Sequence, residues 1–220
     1  METKIWKLHN DISGKFFYKS FEQVSKMTSW RHFDFIYKEI YHFNDSPTSC
    51  IYEMWDCLLQ PDDTVLDLGA NCGFFTHLAS TRVKKVIAVD GSSEAFSCLV
   101  ENCSDRTNIQ YLNASVLSKE DVQSHLWSKM HNPLRLTLEE LMELYNLDKI
   151  DFIKCDIEGG EYKLLQNLSR ETLDKIDRIA CETHDDFLDN TFHLPGKIRH
   201  TFKWNYGGGT QTHCYFVTPK

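Results

Sequence analysis

Two glycines four residues apart, followed by carboxylates at strand ends, are the residues of this sequence best suited to chemistry. Residues 62–73 form an apolar strand that runs into Gly69 and Gly73, and Phe74, Phe75, Leu78 and Ala79 then keep helical spacing. Strand, glycine turn and helix make a nucleotide-type βα unit. The dinucleotide fingerprint G-x-G-x-x-G needs glycine at the third position, so that the backbone can close on a pyrophosphate. Asn71 stands there. The remaining candidate is a nucleoside with an amino-acid tail in place of phosphates, S-adenosylmethionine, whose carboxylate can sit on the amides that open a helix. Asp67, Gly69, Ala70, Asn71 and Gly73 are the residues expected to cradle it.

A second strand, Lys85 to Asp90, ends in a carboxylate about twenty residues beyond the turn, the distance of a ribose-binding acid. Asp90 is expected on the ribose hydroxyls, with Gly91 and Ser92 beside it. An acid there can also cap the next helix, and Ser92, Ser93 and Glu94 look like a helix start. After a third strand, Asn113 and Ala114 are expected at the adenine edge, with a turn-forming Asn as the plainer alternative.

Methyl transfer to oxygen needs an aligned hydroxyl and somewhere for its proton to go. Ligands of open α/β sheets bind at the carboxyl ends of strands, which selects Asp156, Glu158 and Glu161 after one strand and Glu182 and His184 after the next. Asp156 and Glu158 alternate, so they share a face if the strand persists, and Gly159-Gly160 lets the chain turn tightly. Glu161 has an alternative as an acid at a helix N-terminus. His184 is the expected general base, because a neutral imidazole accepts a proton near neutral pH and Glu182 or Asp185 can orient it. His193, His200 and His213 are weaker candidates in the segment expected to cover the acceptor. Alternatively, Asp156 with Glu182 or His184 holds a divalent ion such as magnesium that activates the hydroxyl. It ranks below the base, since magnesium prefers oxygen ligands to imidazole.

The elements that must position these residues read as an alternation. Short apolar strands at Val65–Leu68, Val86–Val89, Ile109–Leu112, Ile150–Cys155 and Ile179–Cys181 are separated by helical stretches. That pattern calls for an α/β fold, mostly parallel, with helices on both faces. Thr201–Trp204 and Cys214–Val217 flank Gly207-Gly208-Gly209 and read as a closing antiparallel hairpin. Ahead of the sheet, Ile5–Leu8 and Lys15–Tyr18 suggest a hairpin, Phe21 to Phe43 an aromatic helical cover, and Cys50 to Leu59 a further helix. Residues 1–49 are expected to belong to the same domain as 50–220. Most of the early aromatics should bury area, and a few are placed to stack on a sugar face.

With 220 residues, 41% of them hydrophobic, the chain has material for one core of ordinary size. A formal charge of -8 opposes a broad phosphate-binding surface, so no nucleic-acid partner is expected and a small-molecule or glycan acceptor fits better. The eight cysteines form no C-x-x-C pair and lie mostly in apolar runs, where a reduced thiol behaves as a small hydrophobe. The opening residues lack the apolar core of a signal peptide, and no stretch approaches a membrane span, so a cytoplasmic protein with no membrane partner is expected.

Two blocks carry a resemblance to a known family. Asp67-Leu-Gly-Ala-Asn-Cys-Gly73 and Asp151-Phe-Ile-Lys-Cys-Asp-Ile-Glu-Gly-Gly-Glu161 resemble the FkbM family of methyltransferases, whose signatures are a GANxG turn and a K-x-D-I-E-G-x-E segment. The match covers roughly residues 50–185, with Leu136 to Leu141 in the usual place between the blocks. Asp90-Gly91 stands where many members have Glu-Pro, which keeps the carboxylate. The resemblance implies a Rossmann-like class I methyltransferase domain, S-adenosylmethionine as cofactor, and O-methylation of a sugar, glycolipid or secondary metabolite. Rival readings are a nucleic-acid or protein methyltransferase and a non-catalytic glycan-binding module. The first lacks an Asn/Asp-Pro-Pro-Tyr or Pro-Cys motif, and the second has no physical need of a complete cofactor pocket.

Overall fold

The protein is described by a computed structural model that covers residues 2–7, 13–18, 40–41, 50–123, 134–184, 196–204 and 211–219. Its centre is the chain's run of β-branched and apolar segments. β3 (Thr64–Leu68), β4 (Lys85–Asp90), β5 (Ile109–Asn113), β8 (Ile150–Cys155) and β9 (Ile176–Thr183) are parallel, and β10 (Lys197–Trp204) and β11 (Gln211–Thr218) close the sheet as an antiparallel pair. The order across it is β10-β11-β9-β8-β3-β4-β5. The chain starts in the middle at β3, steps outward to β5, then returns to β8 on β3's other side. That reversal leaves a crevice at the carboxyl ends of β3 and β8, where ligands of such sheets bind.

Side-chain alternation explains the layers. Val65, Val86, Ala88, Phe152, Ala180 and Phe216 face one cluster, with Phe74, Phe75 and Leu78 of α1 (Phe74–Ser80) and Cys98 and Leu99 of α2 (Ser93–Asn102). Leu66, Leu68, Ile87, Val89, Ile153, Ile179 and Val217 face the other, with Leu138 and Leu141 of α4 (Leu138–Leu144), Leu164 and Leu165 of α5 (Glu161–Gln166) and Leu173 of α6 (Arg170–Asp174). Period-two strands buried on both faces make the sheet a double-sided core. The short α3 (Lys119–Gln123) and the two-residue pair β6 (Ser115–Val116) and β7 (Arg135–Leu136) complete the second half.

The expected α/β architecture, with helices on both faces and an antiparallel C-terminal pair, is therefore present. The leading hairpin is present as β1 (Glu2–Lys7) and β2 (Ser13–Tyr18), paired antiparallel. The helix expected over Cys50 to Leu59 is not formed. Glu53 N–H donates to Cys50 O and Cys57 N–H to Met54 O, both i to i+3, and Trp55 has φ 53, so the segment is two tight turns. This lets Ile51, Tyr52 and Cys57 all reach the core, which one helical face would not allow. Within the aromatic cover, Ile40 and Tyr41 are helical and buried, and the Tyr41 hydroxyl donates to Phe74 O at 3.0 Å. The rest of Phe21 to Phe43, with Asp185, His193 and Gly207–Gly209, lies outside the described residues, as do the side chains of His200 and His213. Among the described residues, all eight cysteines are buried and none is in a disulfide, and no helix is long and apolar enough to cross a membrane.

Candidate functional site

The centre of the site is a charge pair set by strand register. Asp67 and Lys154 are directly opposed on β3 and β8, and both point to the α1 side of the sheet. Both are buried, with Nζ 3.4 Å from Asp67 Oδ1. Burial disfavours the lysine's charge, but Asp67 and Asp156 outweigh it and hold the ammonium well above its ordinary value. Burial also raises the Asp67 pKa, against Lys154 and the Thr76 hydroxyl, which donates to Asp67 at 2.5 Å. The ammonium donates to Gly69 O at 2.6 Å, so this pair pins the glycine turn to β8. A lysine in the middle of a doubly buried strand was the sequence signal for it, because a buried charge needs partners.

The turn itself needs glycine at its first position. Gly69 has φ +75, and a Cβ there would lie 1.7 Å from the backbone oxygen of Asp156. Asp156 N–H donates to Leu68 O at 3.0 Å, so the two strand ends run in contact. Gly73, by contrast, packs beneath α2, where an added Cβ would come 2.9 Å from Leu99 Cδ1. Asp90 receives the Asn71 amide at 2.7 Å on one oxygen and the Ser92 amide at 2.8 Å on the other. Burial nevertheless lifts its pKa to about 6, outweighing those two amides and Lys154.

A cavity of about 280 Å³ opens at these strand ends, close to the lower size of small-molecule pockets, about 300 Å³. Of the residues expected to hold the cofactor, Gly69, Asn71, Asp90, Gly91, Ser92, Ala114 and Asp156 line it, and Asp67, Ala70, Gly73 and Asn113 do not. The Asn113 amide donates to Asp90 O at 2.8 Å, and its Oδ1 accepts from Ser93, so it ties β5 to β4. The apolar lining comes from Leu68, Val89, Val116, Leu117 and Ile157, which the motifs did not single out. An apolar slot with a carboxylate on its wall suits a nucleoside.

Asp156 and Glu158 also line the cavity, and Glu182 and His184 neighbour them without lining it. His184 Nδ1 is 3.1 Å from Glu161 Oε1, and its Nε2 lies 3.8 Å from Asp156, 3.6 Å from Glu158 and 3.5 Å from Glu182. Burial works to lower the His184 pKa, but the Glu161 hydrogen bond and the three other carboxylates outweigh it and raise it to about 9. These surroundings favour the protonated imidazole, whereas the general base expected from sequence needs the neutral form. Glu161 is fully buried, and Oε1 accepts the amides of Ile157 at 3.1 Å and Gly159 at 2.9 Å. Burial opposes its ionised form, yet His184 and the loop amides hold its carboxyl below the ordinary value. Glu161 therefore both ties down the loop before α5 and holds the imidazole. Tyr52 completes the group, its hydroxyl 2.7 Å from Asp156 Oδ2 and 3.2 Å from Glu182 Oε2. No local motif marked it. The divalent-ion alternative gains a different trio, since Asp156, Glu161 and His184 each offer a ligand atom within 4.8 Å of the others.

Comparison with known proteins adds a family. The model of the Methyltransferase FkbM domain matches residues 67–207, well over half of the chain. None of the curated proteins matches it. Similar solved structures include an rRNA methylase from Streptococcus thermophilus, 13% identical over 89% of this chain and 100% of that one, with TM-score 0.47. The N-methyltransferase NodS from Bradyrhizobium japonicum WM9 is 8% identical over 73% and 88%, with TM-score 0.49. A precorrin 8W decarboxylase from Methanobacterium thermoautotrophicum is 17% identical over 72% and 82%, with TM-score 0.42.

Proposed function

This chain belongs to the Methyltransferase FkbM domain family, and from that premise we propose that it methylates a hydroxyl group, on a sugar or glycan, at the Asp156–Glu158 end of the cavity. It is an S-adenosylmethionine-dependent methyltransferase. When bound, S-adenosylmethionine supplies an electrophilic methyl group. Asp90 holds the ribose, the backbone from Gly69 to Asn71 faces the amino-acid tail, and Val116, Leu117 and Ile157 enclose the base.

The observation that carries the reading is the cavity at the carboxyl ends of β3, β4, β5 and β8, lined by the carboxylates Asp90, Asp156 and Glu158 together with apolar side chains. In this arrangement His184 is the centre around which the carboxylates gather. The proton of the acceptor hydroxyl passes to Glu158, whose side chain is 75% exposed on the cavity rim. Alignment of the hydroxyl supplies much of the rate, about 7–11 kcal/mol in good cases. The acceptor class is supported by the family resemblance and by the net charge of -8, which disfavours a polyanionic partner.

Incubation with methyl-labelled S-adenosylmethionine and panels of free sugars, glycosides, amines and RNA, followed by mass spectrometry, tests this. Methyl-oxygen products confined to carbohydrates are expected. Methylation of an amine nitrogen or of RNA, with no ether product, overturns it.

A further inference from the structure

Asp156, Glu161 and His184 come from three elements, the end of β8, the first turn of α5 and the residue after β9. Their ligand atoms nevertheless lie within 4.8 Å of one another. Glu158 and Glu182 stand 3.6 and 3.5 Å from the same imidazole. Four carboxylates share this corner with the His184 imidazole and the Lys154 ammonium, the latter 3.7 Å from Asp156. At such separations a like-charge pair costs about 4 kcal/mol near a protein surface, so a further positive charge is favoured. The second, independent observation is Glu161. It is 0% exposed, Oε1 takes the hydrogen bonds from Ile157, Gly159 and His184, and among the described residues Oε2 is buried with no hydrogen-bond partner. A buried carboxylate oxygen left without a donor is costly, and a coordinated cation supplies what it lacks.

We propose that Asp156, Glu161 and His184 bind a divalent first-row transition ion of the manganese class at the acceptor end of the cavity. Two carboxylate oxygens and one imidazole nitrogen are a mixed donor set, which suits such an ion better than calcium or magnesium. The ion's use in holding an acceptor hydroxyl rests on the function proposed above, whereas its binding does not.

The test is titration of chelator-stripped protein with manganese(II), read by the loss of the free-ion electron paramagnetic resonance signal. Manganese is the probe because thiolates, of which this chain has eight precursors, take it poorly. One site per chain is expected, weakened at least about 10-fold in His184→Gln and in Asp156→Asn, with Glu158→Gln close to the parent. Far-UV circular dichroism and cooperative thermal melting verify that each variant keeps its fold. Absence of saturable binding at millimolar manganese overturns the proposal, as does unchanged affinity in a folded His184→Gln variant. Manganese binding without carbohydrate methylation would sink the proposed function alone, and methylation without manganese binding would sink the ion alone.

Discussion

Replacing Gly69 with alanine tests the closest contact in the site. A non-glycine residue in the left-handed region costs about 1–2 kcal/mol, and Gly69 has φ +75. Its new Cβ would lie 1.7 Å from Asp156 O, whereas real Cβ atoms essentially never come within 3.0 Å, so the strand ends must part by about 1.3 Å. Overpacking of that kind costs about 1–3 kcal/mol. Opening the contact also strains the Asp156 N–H bond to Leu68 O and the Lys154 bond to Gly69 O, adding about 1 kcal/mol. The total is about 3–6 kcal/mol, a large share of a domain's stability of about 5–15. Gly160→Ala is the internal control. Gly160 has φ +93 with nothing within 4 Å of an added Cβ, so only the backbone cost of about 1–2 kcal/mol applies. Urea unfolding of both variants should therefore show Gly69→Ala worse by about 2–4 kcal/mol, and only that variant should lose its melting shift with S-adenosylhomocysteine. Losses equal within error would refute the reasoning, because the clash with Asp156 would then carry no energy.

Other outcomes follow from the same geometry. Ligand at a hundredfold excess over Kd adds about 2.7 kcal/mol to stability; Asp90→Asn should lose most of the S-adenosylhomocysteine melting shift, and an equal shift in mutant and parent would remove Asp90 from the ribose site. His184 has a folded pKa of about 9 against an ordinary 6.5. Its stabilising contribution is full below pH 6.5 and is lost as pH rises through 9, about 3 kcal/mol in all. Urea midpoints of ion-free protein should fall across that window in the parent and stay flatter in His184→Gln; parallel profiles would contradict the carboxylate cluster. Thr76→Val removes the donor to buried Asp67 and should cost about 1–3 kcal/mol, measured by the same unfolding assay, with no loss excluding that hydrogen bond from the stability of the turn. Alkylation of unfolded protein should tag all eight cysteines without prior reduction, since each described thiol is buried and none is in a disulfide; an untagged pair would reveal a bridge.

What the sequence determined by itself is what local pattern controls. Apolar runs such as Val86–Val89 and Ile150–Cys155 announced doubly buried strands, and the Gly69–Gly73 turn announced where their carboxyl ends would open, because strand pairing and turn conformation depend on neighbours in the chain. Asp90 and Asp156 could be placed on the cavity for the same reason, since each directly follows or ends such a strand. Tertiary structure decided the rest. Tyr52 meets Asp156 and Glu182 across 104 and 130 residues, and turns rather than a helix at 50–59 bring it there. Asn113 spends its amide on Asp90 O instead of facing the cavity. The His184 pKa is raised because four carboxylates from three segments surround the imidazole, and a pKa follows from burial and nearby charge. Those depend on the order of strands in the sheet, β9 beside β8 and β8 beside β3, which no local stretch of the chain encodes.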